Sequence, residues 1–309
     1  MSATMTALVA QERGGPEVLA LEEVPVPEPA AGEVLVQVHA AAITFDELTW
    51  DATWSHVPMT PSHEVSGVVV ALGPGVTGPA VGAEVYGLID FDRNGAAGQY
   101  VTVPAGDLAP RPASVSHAEA AAVPLAGLTA WQALVDHAKV QAGERVLVLG
   151  AAGGVGAFVV QLAHILGADV TATVRSDVAD SVRELGADHV IDVRNTQVDD
   201  GGPTYDVVID TVGGQTLEGA YATVRRGGRL VTLSAPPPAG RADEYGVTAE
   251  FFVVTPDRTQ LAELARLVDE GRLRVTIAAS YPLEQGRRAF ESGRQPHRRP
   301  GKTILIVRD

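Results

Sequence analysis

Between positions 145 and 156 the chain reads Arg145-Val-Leu-Val-Leu-Gly150-Ala-Ala-Gly153-Gly154-Val-Gly156, residue types and a spacing that can cradle a pyrophosphate. Glycine at 153 and 156 lets the main chain approach a phosphate closely and lets a helix pack tightly on the strand before it. The first helical turn, from Ala152, Gly153, Gly154, Val155 and Gly156, then offers unpaired N–H groups and partial positive charge to the anion. The chemistry implied is dinucleotide binding, and with it redox transfer. One departure stands in the pattern: the first glycine of G-x-G-x-x-G is Ala151, so the neighbouring elements must carry the assignment against a glycine-rich turn that holds nothing.

Those elements agree with it. The apolar run 146–149 suits a strand buried on both faces, and Phe158, Val159, Leu162, Ile165 and Leu166 recur at helical spacing. Strand-like runs follow at 169–174, 189–192, 206–210, 229–233 and 251–254, with helix-like segments between the first three and near 214–225. Strands alternating with helices predict an α/β fold with an open, doubly wound parallel sheet.

The whole chain has 309 residues, 46% of them hydrophobic, which is enough for two cores. Its formal net charge of −15 works against nucleic acid or acidic membranes as partners. No apolar run reaches membrane-spanning length, since 118–135 is broken by Pro124 and Gly127. The start carries neither a basic region nor a long apolar stretch, so a cytoplasmic protein is expected. Zero cysteines exclude disulfides, thiolate zinc sites and a cysteine nucleophile. No Ser-His-Asp arrangement or paired carboxylates can be defended from spacing.

Residues 1–124 carry short alternating segments (33–39, 65–70, 83–88, 98–103) separated by turns such as Gly73-Pro74-Gly75, a pattern that predicts an antiparallel, barrel-like domain. The nucleotide-binding domain is expected over 125–272, and 273–309 is expected to return to the first domain.

Several further runs are specific together: Pro61-Ser-His-Glu-Val-Ser-Gly67, Val81-Gly-Ala-Glu-Val-Tyr-Gly87, Ala120-Ala-Ala-Val-Pro-Leu-Ala-Gly-Leu-Thr-Ala-Trp131, Glu184-Leu-Gly-Ala-Asp-His-Val-Ile-Asp192 and Phe251-Phe-Val-Val-Thr-Pro256. With the 150–156 turn they make the chain resemble, nearly end to end, a zinc-independent medium-chain dehydrogenase/reductase of the quinone oxidoreductase type. The resemblance implies a GroES-like catalytic domain, a Rossmann domain, a substrate cleft between them and a homodimer or larger assembly.

Zinc-dependent relatives resemble the chain at His63-Glu64, but their partner cysteine falls where Thr44 stands, and the stretch 90–98 leaves no room for a structural metal lobe. A catalytic zinc takes three protein ligands. No metal is therefore expected, and His63 is expected to be a hydrogen-bonded residue at a strand start.

NAD-binding folds put an acid at the end of the second strand, whereas a 2′-phosphate needs a cation or hydroxyl there. Here that strand ends Thr173-Val174-Arg175-Ser176, which favours NADPH; against it, Asp177 stands close by, and relatives' nearby lysine is replaced by Val178, Ala179 or Asp180. The alternative makes Ser176 a helix N-cap and Arg175 a solvated charge.

By resemblance, Thr129 lies beside the nicotinamide, Ser234 with the backbone near Phe252 and Val253 holds its carboxamide, and Thr211 and Val212 line its ribose. Thr44 stands where many quinone oxidoreductases carry Asn and is the candidate donor to a substrate carbonyl, and Phe45, Trp50 and Trp54 are expected on the substrate side; the alternative makes Thr44 a strand-end residue and Trp50 and Trp54 packing residues. Tyr86 and Tyr245 are further hydroxyls able to give a proton, with no spacing that selects either. The basic run around 287–302 ends in Gly301-Lys302, a pair that relatives show near the cofactor, the alternative being a solvated loop. The activity implied is NADPH-dependent reduction of a quinone or of the C=C bond of an α,β-unsaturated carbonyl. The alternatives are a pathway-specific tailoring reductase and a cofactor-binding sensor or structural protein without turnover.

Overall fold

The computed structural model of the protein describes residues 3–175, 178–195, 198, 204–295 and 299–308. Strands β1 Thr4–Ala10, β2 Leu19–Pro25, β3 Glu33–Ile43, β4 Glu64–Leu72, β5 Glu84–Leu88, β6 Tyr100–Pro104 and β7 Leu108–Pro110 precede helices α1 His117–Ala121 and α2 Pro124–Trp131. Strands and helices then alternate as β8 Arg145–Leu149, α3 Gly154–Ile165, β9 Asp169–Val174, α4 Ala179–Glu184, β10 His189–Asp192, β11 Tyr205–Asp210, α5 Gly214–Ala220, β12 Val224–Thr232, α6 Arg241–Tyr245 and β13 Thr248–Phe251. After them come α7 Arg258–Asp269, β14 Ile277–Pro282, α8 Gly286–Glu291 and β15 Lys302–Ile306.

Contacts divide these elements into two units, 129–254 and 1–128 with 255–309. In the first, six strands pair in parallel in the order β10-β9-β8-β11-β12-β13, the doubly wound arrangement that the alternating pattern predicts. Val146, Leu147, Val148 and Leu149 are all buried, as a central strand covered on both faces requires. The strand order reverses between β8 and β11, and in sheets of this kind ligands bind outside the carboxyl ends of strands at such a point.

In the second unit a sheet runs β14-β15-β3-β4-β5-β7, with β6 also paired to β3 and a separate β1-β2 hairpin. All its pairs are antiparallel except β14 with β15. This is the GroES-like half, closed around a core that includes Val36, Val38, Val65, Val85, Val103 and Leu305. Residues 255–272, expected in the nucleotide-binding domain, cluster with this unit, because α7 buries Leu261, Leu264, Leu267 and Val268 and packs on β7. The buried Tyr86 hydroxyl donates to the Leu261 carbonyl at 2.5 Å, and burial pushes its phenol up, so its hydrogen is engaged in tying α7 to this unit.

Candidate functional site

The turn after β8 is shaped by two glycines that no other residue replaces without movement. Gly150 has φ +83, and a Cβ there would lie 2.5 Å from Thr211 Oγ1. At Gly156 a Cβ would lie 2.2 Å from the Gly150 carbonyl oxygen, which lets α3 enter directly beneath the turn. Helix α3 starts from Gly153 with no side-chain cap, so its first N–H groups stay open to an anion. Gly154, Val155 and Gly156 form this first turn.

A cavity of about 640 Å³ opens over that turn and is lined by Ala152, Gly153, Arg175, Thr211 and Val212, all named from sequence, together with Thr173 and Gln215. Arg175 is exposed at the end of β9, with no ion-pair partner among the described residues. Ser176 lies outside the described residues; the N-cap of α4 is Val178. Across from Val174 the acid that ends β10, Asp192, is engaged by Arg194, whose hydrogen bonds hold its carboxyl below the usual range.

Asp210, at the end of β11, organises the turn that follows Thr211 and Val212 in the cavity lining. Its buried carboxylate accepts from the Val212 N–H at 3.0 Å, the Gly213 N–H at 3.0 Å, Thr232 Oγ1 at 2.9 Å and Ser234 Oγ at 3.3 Å. Thr211 Oγ1 donates to the Leu149 carbonyl at 2.8 Å, tying the strand ends on either side of the switch point. Asp210 was not singled out from sequence, although an acid closing a buried strand before Gly213-Gly214 is a signal that could have found it. Beyond β13, Phe252 stacks on His137 with ring centroids 4.1 Å apart, and Val253 stands 60% exposed. Val212 is 48% exposed, so apolar surface waits uncovered at two of the positions assigned to the nicotinamide end. Thr129 is buried in the last turn of α2, which continues as a π-helix over Gln132–His137.

The barrel unit holds a second polar cluster. Lys302 Nζ lies 2.5 Å from Glu64 Oε2 and donates to Thr44 Oγ1 at 3.1 Å. Glu64 also accepts from the Leu125 N–H at 3.0 Å; burial pushes its carboxyl up, an effect that the Lys302 charge opposes. Lys302 is thus a buried strand residue and not part of a solvated loop, and its ammonium is committed inside this unit. Beside it, Glu47 Oε2 lies 2.8 Å from His63 Nδ1 and accepts from the Ser62 N–H, while His63 Nε2 faces the Arg93 carbonyl at 3.2 Å.

The aromatic residues named from sequence do not converge. Phe45 packs against Gly293, where a Cβ would sit 2.2 Å from its ring, and Trp54 packs against the barrel core with its indole N–H on the Leu48 carbonyl. Trp50 instead meets Phe91 edge-on at 5.0 Å, and Phe91 in turn meets His63 at 5.4 Å. No sequence signal pointed to Phe91, whose place depends on a loop contact.

These residues do not fit a zinc ion. Both ring nitrogens of His63 already have partners, Glu64 is paired with Lys302, and Thr44 brings no thiolate. Among the described residues no group of three or more His, Asp or Glu has metal-binding geometry. The glycine turn does fit a dinucleotide, since the close packing at Gly150 and Gly156 sets the uncapped start of α3 against the turn beneath the cavity, with N–H groups open to a phosphate.

Family models match over two stretches: "Alcohol dehydrogenase GroES-like domain" over residues 30–113 and "Zinc-binding dehydrogenase" over 185–305. A probable zinc-binding oxidoreductase of Arthroderma benhamiae is 33% identical, the alignment covering 94% of this chain and 93% of the relative. An NADPH-dependent alkenal/one oxidoreductase of Arabidopsis thaliana is 34% identical, over 90% of this chain and 73% of the relative. The solved quinone oxidoreductase from Coxiella burnetii superposes with a TM-score of 0.89 at 28% identity, covering 99% of this chain and 100% of its own.

Proposed function

The chain belongs to the medium-chain dehydrogenase/reductase superfamily, and from that premise we propose that it is an NADPH-dependent reductase of quinones or of the C=C bond of α,β-unsaturated carbonyls, working without zinc. The observation that carries the reading is the 640 Å³ cavity over an uncapped helix start, lined by Arg175, which has no ion-pair partner among the described residues, and by Val212 of the Asp210-braced turn. Similarity to a relative named for NADPH-dependent alkenal/one reduction supports the substrate class.

A reduced nicotinamide held there would supply a hydride to the electrophilic carbon of the acceptor. The residues of the chain divide the remaining work. Gly154, Val155 and Gly156 give the pyrophosphate backbone N–H groups that need no reorganisation, while Ala152 and Gly153, whose N–H is held by the Gly150 carbonyl, keep the approach to them free of bulk. Arg175 gives the 2′-phosphate a guanidinium fork, and Ser176 a hydroxyl. Asp210 keeps Val212, Gly213 and Ser234 in register for the nicotinamide end, with Thr129, Thr211, Phe252 and Val253 completing its surroundings. Without a metal, the charge that develops on the acceptor oxygen must be met by a hydrogen-bond donor, and Thr44 is assigned that part. Trp50, with Phe91, offers flat apolar surface to a conjugated acceptor.

The protein acts as a homodimer in this reading, and β13, the last strand of the parallel sheet, offers an edge for pairing; light scattering in solution tests it. The functional test is a panel of quinones, 2-alkenals and cyclic enones assayed for acceptor-dependent oxidation of NADPH at 340 nm. Turnover with at least one class is expected. Binding of NADPH without acceptor-dependent oxidation would instead favour a sensor.

A further inference from the structure

We propose that Lys302, held in place by Glu64, is a positioning residue that aims the Thr44 hydroxyl at the carbonyl oxygen of the substrate. The inference rests on the reductase reading above and adds to it the device that makes a threonine an effective donor.

Strand register brings the three residues together. Antiparallel pairing sets Thr303 opposite Ile43 and Ala42 opposite Glu64, so Lys302 falls beside Thr44 at the end of β3 and within reach of the start of β4. An ammonium has donors and no acceptor. At 3.1 Å, therefore, Lys302 Nζ donates to Thr44 Oγ1, and the hydroxyl hydrogen of Thr44 must point elsewhere. Thr44 is half-buried, whereas the side chains of Lys302 and Glu64 are 8% and 1% exposed, so only the threonine presents a polar hydrogen at the surface of the cluster.

The arrangement also strengthens that hydrogen as a donor. A cation bonded to the oxygen of a hydroxyl polarises its O–H bond, and in a buried chain each hydrogen bond reinforces the next. Glu64 compensates the buried charge and fixes the amine, with its second oxygen anchored on the Leu125 N–H. An oxygen bearing negative charge after hydride arrival would meet a donor that needs no reorientation, which is the condition for electrostatic stabilisation. No proton leaves Lys302 in this scheme; with an enone the hydride enters the β carbon and solvent protonates the α carbon of the resulting enolate, and with a quinone solvent protonates the quinol oxygens.

The competing role for Lys302 is a direct contact with a cofactor phosphate, and the two make different predictions. The variants are Thr44→Val, Thr44→Ser, the double change Lys302→Met with Glu64→Gln, which leaves no lone buried charge, and all three of Thr44→Val, Lys302→Met and Glu64→Gln together. Thermal melts first establish that each is folded. NADPH affinity is read by fluorescence titration without acceptor, and kcat and KM with an enone or quinone that the wild type reduces.

Positioning through Thr44 predicts an NADPH Kd within about twofold of wild type in every variant. The expected fall in kcat is about 100-fold for Thr44→Val and about tenfold for the Lys302/Glu64 double change. The combined variant should be no slower than Thr44→Val alone, and Thr44→Ser should retain most of the rate. A tenfold loss of NADPH affinity on changing Lys302, or losses that multiply across the two positions, overturns the inference. A wild type that reduces no acceptor removes the reductase reading and this inference with it, whereas an active wild type whose rate ignores Lys302 removes the inference alone.

Discussion

His63 Nδ1 lies 2.8 Å from Glu47 Oε2 in a pocket where both side chains are 1% exposed, and the other ring nitrogen faces a backbone carbonyl. A metal would have to displace one of these partners and leave a buried polar group unsatisfied, a cost of about 1–3 kcal/mol before any ligand bond forms. Prolonged dialysis against a strong chelator should leave acceptor-dependent activity and Tm unchanged, with elemental analysis finding no stoichiometric zinc. Loss of activity restored by added zinc would refute this assignment.

Arg175 stands at the cavity wall with no ion-pair partner among the described residues. Replacing it with Ala should raise the Kd for NADPH about 10- to 100-fold, the loss of a charged hydrogen bond, and leave the Kd for NADH nearly unchanged. Equal weakening of both cofactors would show that Arg175 has no part in reading the 2′-phosphate.

Asp210 braces the turn that carries Val212, a residue lining the same cavity, through hydrogen bonds with Val212, Gly213, Thr232 and Ser234. Asp210→Asn keeps the shape but turns one acceptor into a donor that faces other donors. We expect a destabilisation of about 2 kcal/mol by denaturant titration and a weaker NADPH complex. Unchanged affinity in a folded variant would make the brace irrelevant to the cofactor.

His117 stacks on His39 at 4.3 Å, and its Nδ1 lies 2.7 Å from Ser66 Oγ. Burial, aided by the charges of His39 and Arg111, pushes its pKa down to about 4. The unfolded chain therefore binds this proton more readily than the folded one. Its contribution to stability is complete above about pH 6.5 and is lost as pH falls toward 4, worth about 1 kcal/mol once screening of a half-exposed ring is allowed for. Tm should fall between pH 7 and pH 5, and His117→Asn should flatten that fall. An identical slope in the variant would count against the assignment.

Local pattern carried much of this protein. The apolar run 146–149, the glycines that follow and the alternation of strands and helices report a fold whose contacts repeat over short chain distances. Pairings set by register across a sheet leave no such trace. Thr44 and Lys302 are 258 positions apart, and both drew attention from sequence for different reasons; only the pairing of β3 with β15 joins them. Glu47 and His63 meet because a short helix folds back over a strand start, which residue types alone do not announce. Phe45 was read with the substrate side, yet the missing side chain of Gly293 gives its ring another place to pack.

The most direct test of the account is calorimetric titration of the purified protein with NADPH. One saturable site per chain is predicted, abolished by Gly156→Val, whose side chain would occupy the space now left beneath the Gly150 carbonyl. Absence of heat with both NADPH and NADH, or undiminished binding by that variant, would contradict the assignment of the 145–156 turn as the cofactor cradle.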